Sequence, residues 1–183
     1  MLASPNPLLT SGGTVTFFAI LILFPLLMAY AAFSDMLSMT IANWVSVLLV
    51  AGFLLASLCL GTPPKEIGTH FALGFLCLVL TFGCFAMGWM GGGDAKLIAA
   101  TALWFGPTQG LFDYLLLGAV YGGVLTLGLL AARAAFIPMT GVKFVDRLLE
   151  TETGIPYGIG LGAAGLTAYA SSDWVVLAVR SLG

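Results

Sequence analysis

Two aspartates, Asp35 and Asp94, each stand where a long apolar run meets a polar or glycine-rich link, in a chain that is 60% hydrophobic and only 8% charged. An ionised carboxylate at mid-membrane depth costs roughly 2.5–3.5 kcal/mol on insertion scales, so a membrane chain keeps one where water, a partner or a reaction supports it. Two carboxylates brought together in a poorly solvated place cannot both ionise; they share a proton and titrate as a coupled unit. The charged member can then draw a proton from a water molecule while the neutral member hydrogen-bonds a substrate carbonyl. Such a pair hydrolyses an amide without metal, cofactor, Ser/His dyad or nucleophilic cysteine.

The elements that must position this pair are membrane helices. A soluble domain carries about 25% charged residues, so 8% over 183 residues, with a mean hydropathy of +1.09, is membrane composition. We expect an all-α polytopic membrane protein of about six transmembrane helices, one domain over residues 1–183, with no separate soluble domain. The net charge of −2 and the lack of a basic, aromatic-interleaved stretch exclude nucleic acid as a partner and leave lipid. Cys59, Cys77 and Cys84 lie inside apolar runs, form no Cys-x-x-Cys or Cys/His cluster, and read as packing residues. Residues 1–14 hold no Lys or Arg, and Ala29-Tyr30-Ala31 only superficially resembles a cleavage site, so the first apolar run is expected to be a retained span.

Apolar runs predict crossings over residues 14–34, which hold Pro25, 44–60, 70–90, a short 95–105, 111–137 and 156–179. Residues 35–43 read as a polar link, and residues 61–66 as a helix-breaking turn. Residues 138–155 carry Lys143, Asp146, Arg147, Glu150 and Glu152 among apolar residues at helical spacing, the pattern of an amphipathic interfacial helix. Six crossings put Lys96, Arg133, Lys143 and Arg147 on one side with Asp35 and Asp94, against Lys65 and Arg180 on the other. The positive-inside rule makes the first side cytoplasmic.

Simpler roles exist for each aspartate alone. Asp94 fits the N-cap of a helix over residues 95–105, with Gly91 to Gly93 as its approach, and Asp35 fits an interfacial residue closing the first helix. The neighbouring residues decide between the roles. Gly91-Gly92-Gly93-Asp94 continues as Ala95-Lys96-Leu97, then Ala99-Ala100 and Leu103-Trp104, and Ile155-Pro156-Tyr157-Gly158 comes late in the chain. With Asp35 at the end of one span and Asp94 in Gly-x-Gly-Asp, the chain resembles the type IV prepilin peptidase family over roughly residues 14–170.

That resemblance implies an aspartic endopeptidase with Asp35 and Asp94 catalytic, acting on prepilin-like precursors at the cytoplasmic face of a prokaryotic inner membrane, in association with pilus or secretion machinery. Gly91 and Gly93 would let backbone or substrate approach the carboxylate without meeting a Cβ. Lys96 would stabilise negative charge near the pair or bind lipid phosphate; a snorkelling anchor serves equally well. The family's basic residues after the first aspartate and its Ile-Pro-Asn are here Met36 to Thr40 and Ile41-Ala42-Asn43. Lacking the four-cysteine insert of the larger members, the chain is similar to the short, peptidase-only branch of tight-adherence (Flp-type) pili, and methyl transfer is not carried over.

Three other readings compete. A presenilin-type intramembrane protease shares Gly-x-Gly-Asp, but the Pro-Ala-Leu element is absent. A proton-coupled small transporter would use paired aspartates as a relay, but would be expected to show internal repeats with broken helices. A non-catalytic pilus or secretion assembly subunit would leave both aspartates replaceable. His70, Asp113 and Asp173 read as outer-side boundary residues, and Trp44, Trp89, Trp104 and Trp174 as interfacial belts.

Overall fold

The computed structural model describes residues 11–135 and 141–182, and within them the regular structure is all helix. In order the helices are α1 (Ser11–Ser38), α2 (Asn43–Cys59), α3 (Pro64–Ala86), α4 (Gly92–Phe105), α5 (Gln109–Ala135), α6 (Lys143–Leu149), α7 (Tyr157–Ala170) and α8 (Asp173–Leu182). Three helices are long and apolar enough to cross a membrane, Leu21–Ser38 within α1, all of α3 and all of α5, and α2 is a shorter apolar helix of 17 residues. The first ten residues, and with them most of the leading segment on which the retained-span reading rests, lie outside the described residues. So do Ile137 and Pro138, the expected boundary between the fifth span and the amphipathic stretch.

The first helix sorts its faces by environment. Along α1, Leu21, Phe24, Met28, Ala31 and Asp35 are buried while Ile22, Leu26, Tyr30, Phe33 and Leu37 are exposed. These are two stripes of three- and four-residue spacing on one cylinder. The outer stripe is apolar too, as expected where lipid rather than water is the solvent. Asp35 therefore continues the inward stripe.

α4 and α7 form the centre. α4 packs on α3 and α2, α7 packs on α5 and α1, and the two also touch each other. From Asp94 to Phe105 every residue of α4 except Lys96 is buried. Close helix approach on α7 depends on missing side chains: a Cβ on Gly160 would stand 2.8 Å from the backbone nitrogen of Gly122, and one on Gly162 2.8 Å from the Met28 carbonyl oxygen. Small residues at such seams let membrane helices gain van der Waals contact that lipid cannot supply.

Several expectations are corrected. The residue 156–179 span is two helices, broken at Ser171 and Ser172, where the Ser172 carbonyl accepts the first amides of α8, Val175 and Val176. At 1.5 Å per residue, α4 and α7 with 14 residues each are about 21 Å long, short of a roughly 30 Å hydrocarbon core. α4 draws length from the glycine segment and is surrounded by protein, as its short apolar run predicts, whereas α7 is shorter than the span expected there. α3 begins at Pro64, inside the expected turn, because proline at a helix start sacrifices no hydrogen bond and Glu66 suits the first turn. Among the described residues of the amphipathic stretch, the helix is the seven-residue α6.

Trp104 and Trp174 are not belt residues either. They are 1% and 9% exposed, and their indole N–H groups donate to the Leu49 and Trp104 carbonyls at 2.9 and 2.6 Å. With Phe24, Phe53 and Tyr169 they form one aromatic cluster, including the stacked pair Phe24 and Tyr169 at 4.4 Å. Trp44 and Trp89 are 45% and 74% exposed, as a belt position requires.

Candidate active site

Asp35 lies in the last helical turns of α1, not in a link after it: the helix runs on to Ser38, and the Met39 amide still bonds to the Asp35 carbonyl. Its side chain is 6% exposed. Oδ2 accepts a 2.7 Å hydrogen bond from the backbone amide of Gly158, in the first turn of α7. That amide is one of the four at a helix start with no partner inside the helix, so it is free to meet a carboxylate.

Asp94 is 9% exposed and sits in the first turn of α4. The N-cap is Gly91, not Asp94, and it makes no side-chain capping bond. Two glycines, Gly92 and Gly93, have joined the helix, which moves Asp94 to its third position. From there its carboxyl turns back towards the Gly91 amide. A Cβ on Gly91 would stand 3.0 Å from Asp94 Oδ2.

Ile41 joins the two halves. A Cβ on Gly158 would lie 2.8 Å from Asp35 Oδ2 and 2.8 Å from Ile41 Cδ1, and a Cβ on Gly93 would lie 3.1 Å from Ile41 Cβ. The end of α1, the 39–42 loop and the starts of α4 and α7 thus meet around one isoleucine, which is 9% exposed. Asp35 is near enough to act on Asp94 electrostatically: burial, and then the Asp35 charge, push the Asp94 carboxyl up to about 6, against the lowering effect of the Gly91 amide.

Of the supporting residues named from sequence, Gly91 lies against the Asp94 carboxylate and Gly93 against Ile41. Lys96 is exposed, and its Nζ donates to Asn43 Oδ1 at 2.8 Å, tying the first turns of α4 and α2 together. The loop between α1 and α2 is held from several sides: Ser34 Oγ donates to the Thr40 carbonyl at 3.0 Å, and Arg147 Nη2 reaches the Ser38 carbonyl at 3.3 Å. Arg133 binds the Leu148 and Gly154 carbonyls at 2.9 and 3.0 Å, fixing α6 and the segment leading into α7. Ala42, where the resemblance expected proline, has φ −66° and ψ 138°, a backbone shape proline adopts without strain.

Sequence reasoning missed the Gly158 amide as the partner of Asp35. The available sign was Ile155-Pro156-Tyr157-Gly158, a motif whose residue types suggest no physical role beside a carboxylate. His70 is also not a plain interfacial residue: half-buried, it stacks on Phe53 and shares a hydrogen bond with the Leu103 carbonyl at 2.6 Å. It lies at the far end of α4 from Asp94.

Two buried carboxylates beside backbone amides can divide the roles of base and acid in amide hydrolysis. Neither a curated protein nor a solved structure matches the chain. The family model described as the type IV leader peptidase family matches residues 22–127, more than half of the 183 residues and a stretch that holds both aspartates, Ile41, Gly91 and Gly93. With that match and its apolar spanning helices, the chain belongs to the type IV leader peptidase family of membrane peptidases.

Proposed function

We propose that the protein is an aspartic endopeptidase that removes the leader from prepilin-like precursors, with Asp35 and Asp94 as its catalytic pair. The observation that carries this reading is the burial of the two carboxylates around Ile41, from helices far apart in sequence, with one carboxylate electrostatically coupled to the other. Asp94 holds the shared proton and hydrogen-bonds the scissile carbonyl. Asp35, oriented by the Gly158 amide, takes a proton from water, whose oxygen attacks the carbonyl carbon. Asp94 passes its proton to the carbonyl oxygen as the diol forms. The diol then collapses as the C–N bond breaks, a diol hydroxyl returning a proton to Asp94 while the leaving amine receives the proton from Asp35. Neither carboxylate forms a covalent bond to substrate.

Cytoplasmic action is supported by charge. Lys96, Arg133 and Arg147 all make their hydrogen bonds at the end of the bundle that holds the aspartates, whereas Lys65 stands at the start of α3, the opposite end. The positive-inside rule assigns the basic end to the cytoplasm. Three free cysteines in place of a four-cysteine cluster suit the peptidase-only, tight-adherence (Flp-type) branch. Prokaryotic inner membrane and pilus or secretion machinery follow from the same reading.

The test is to reconstitute the purified protein with a prepilin-like precursor and sequence the N-terminus of the product. A single cut at the boundary between a polar leader and the hydrophobic helix after it is expected. A cut within the hydrophobic helix would overturn leader removal in favour of intramembrane proteolysis.

A further inference from the structure

The amide that meets Asp35 is presented by the segment that runs from α6 into the first turn of α7. Between the end of α6 at Leu149 and the start of α7 at Tyr157, the backbone hydrogen bonds are local: the Thr153 amide reaches the Glu150 carbonyl at 3.2 Å, and the Tyr157 amide the Ile155 carbonyl at 2.9 Å. Such turns shape this strap without fixing it to the rest of the bundle. A segment with so little regular structure opens easily unless something outside it holds it in place.

Arg133 supplies that hold. Half-buried in the last turn of α5, it donates from Nε to the Leu148 carbonyl at 2.9 Å and from Nη2 to the Gly154 carbonyl at 3.0 Å. The guanidinium is planar and its donors form a rigid fork, so the two carbonyls, from positions 148 and 154, are set at a fixed spacing. Leu148 lies in the last turn of α6, where carbonyls lack donors inside the helix and an arginine is a favourable partner. One side chain thus grips both ends of the strap. Both bonds carry a charge on the donor, which makes them roughly twice as strong as neutral ones.

Further contacts carry the position of Gly154 on to Asp35. Pro156 is buried with φ −75°, and the Tyr157 ring packs against Gly122 of α5, which restricts the chain between Gly154 and Gly158. The Gly158 amide then donates to Asp35 Oδ2 at 2.7 Å. From α6, Arg147 Nη2 reaches the Ser38 carbonyl at 3.3 Å, in the same final turns of α1 that hold Asp35. The circuit is closed: Arg133 joins α5 to the strap, and the strap holds α1 by its backbone at Ser38 and by its carboxylate at Asp35.

We propose that Arg133 is a positioning residue for the hydrolysis: by clamping the Leu148 and Gly154 carbonyls it keeps the Gly158 amide on Asp35 and so aims the carboxylate that takes the proton from water. An arginine serving only as a positive-inside anchor needs its charge and no more, whereas the clamp needs two donors in a fork. The catalytic consequence rests on the peptidase reading; the clamp itself can be observed without any cleavage.

The test compares the full-length parent, R133M, R133K and K143M, each purified in detergent after verified membrane insertion, in two measurements. The first is the amide proton resonance of Gly158. Labelling tyrosine with carbon-13 at the carbonyl and glycine with nitrogen-15 selects the Tyr121-Gly122 and Tyr157-Gly158 amides, and the response to D35N tells them apart. In the parent the Gly158 proton should stand downfield, as expected of a bond to a carboxylate, and R133M should move it towards its D35N position. The second measurement is kcat and KM for one prepilin-like precursor. R133M should lower kcat at least tenfold while KM changes less than threefold. R133K keeps the charge but not the fork and should fall between R133M and the parent in both measurements. K143M removes an exposed charge of α6 that is not part of the clamp and should match the parent. Either measurement left at the parent value in inserted R133M overturns the proposal, and so does an equal loss in K143M or full recovery in R133K, since charge alone would then suffice. If R133M does not insert, R133K decides: parent values in both measurements overturn the clamp. A parent that cleaves no precursor would sink the peptidase reading, and the Gly158 resonance in R133M would still decide for or against the clamp.

Discussion

The amide of Gly158 meets Oδ2 of Asp35 at 2.7 Å, and no side-chain atom fits between them, because a Cβ at position 158 would come within 2.8 Å of that oxygen. Replacing Gly158 with alanine must therefore displace both the Asp35 side chain and Ile41, each 2.8 Å from the new methyl. We expect Gly158→Ala to lower leader cleavage at least tenfold and to destabilise the protein by about 1–3 kcal/mol, the usual cost of overpacking. Cleavage rate and thermal unfolding in detergent read the two effects; an unaltered G158A protein would mean that this contact does not organise the site.

Gly122 and Gly123 are neighbours on α5 with opposite surroundings. A Cβ on Gly122 would collide with the Tyr157 ring, whereas one on Gly123 meets nothing within 4 Å. Gly122→Ala should cost about 1–3 kcal/mol. Gly123→Ala should gain about 0.5–1 kcal/mol through helix propensity. Melting temperatures that shift the same way for both variants would contradict the α5 and α7 packing.

Ala42 already has the backbone shape of the proline it replaces, with φ −66°. Ala42→Pro should stabilise the protein by about 0.4–1 kcal/mol by restricting the unfolded chain, with cleavage retained. Thermal unfolding checks it, and a loss of stability would show that the 39–42 loop needs a freedom or an amide that proline removes.

Asp94, in the first turn of α4 and outside the three long spans, keeps its proton up to about 6 instead of the ordinary 3.8. Its ionised form is thus the disfavoured one in the folded protein. The folded chain loses stability as pH rises from the ordinary carboxylate range to about 6, and the loss is complete above it. An infrared band from a protonated carboxyl should vanish near that pH and be absent in Asp94→Asn. In Asp35→Asn it should vanish at lower pH, because one of the two raising causes is gone. A midpoint that stays put would separate the two carboxylates electrostatically.

Much of the site was legible in sequence because charge is so scarce in this chain. Asp35 and Asp94 stood out against apolar runs, and the spacing Leu21, Phe24, Met28, Ala31, Asp35 lies on one helical face. The Gly158 partner was not legible in physical terms, since a backbone amide has no residue type to betray it and nothing local links α7 to α1. Trp104 and Trp174 look the same in a belt as in a core, as their indole N–H groups find carbonyls in either place. The break at Ser171 and Ser172 was missed because small residues there neither forbid a helix nor announce a new one. Pro63-Pro64 read as a breaker, although a proline also starts a helix well, and Pro64 does so.

The most direct test of the central claim compares cleavage of one prepilin-like precursor by the parent, Asp35→Asn and Asp94→Asn proteins at equal, verified membrane insertion. Shared acid/base work predicts a fall of about 100-fold to 10,000-fold in the rate for each variant, with substrate binding retained. Cleavage at close to the parent rate by either variant would contradict it.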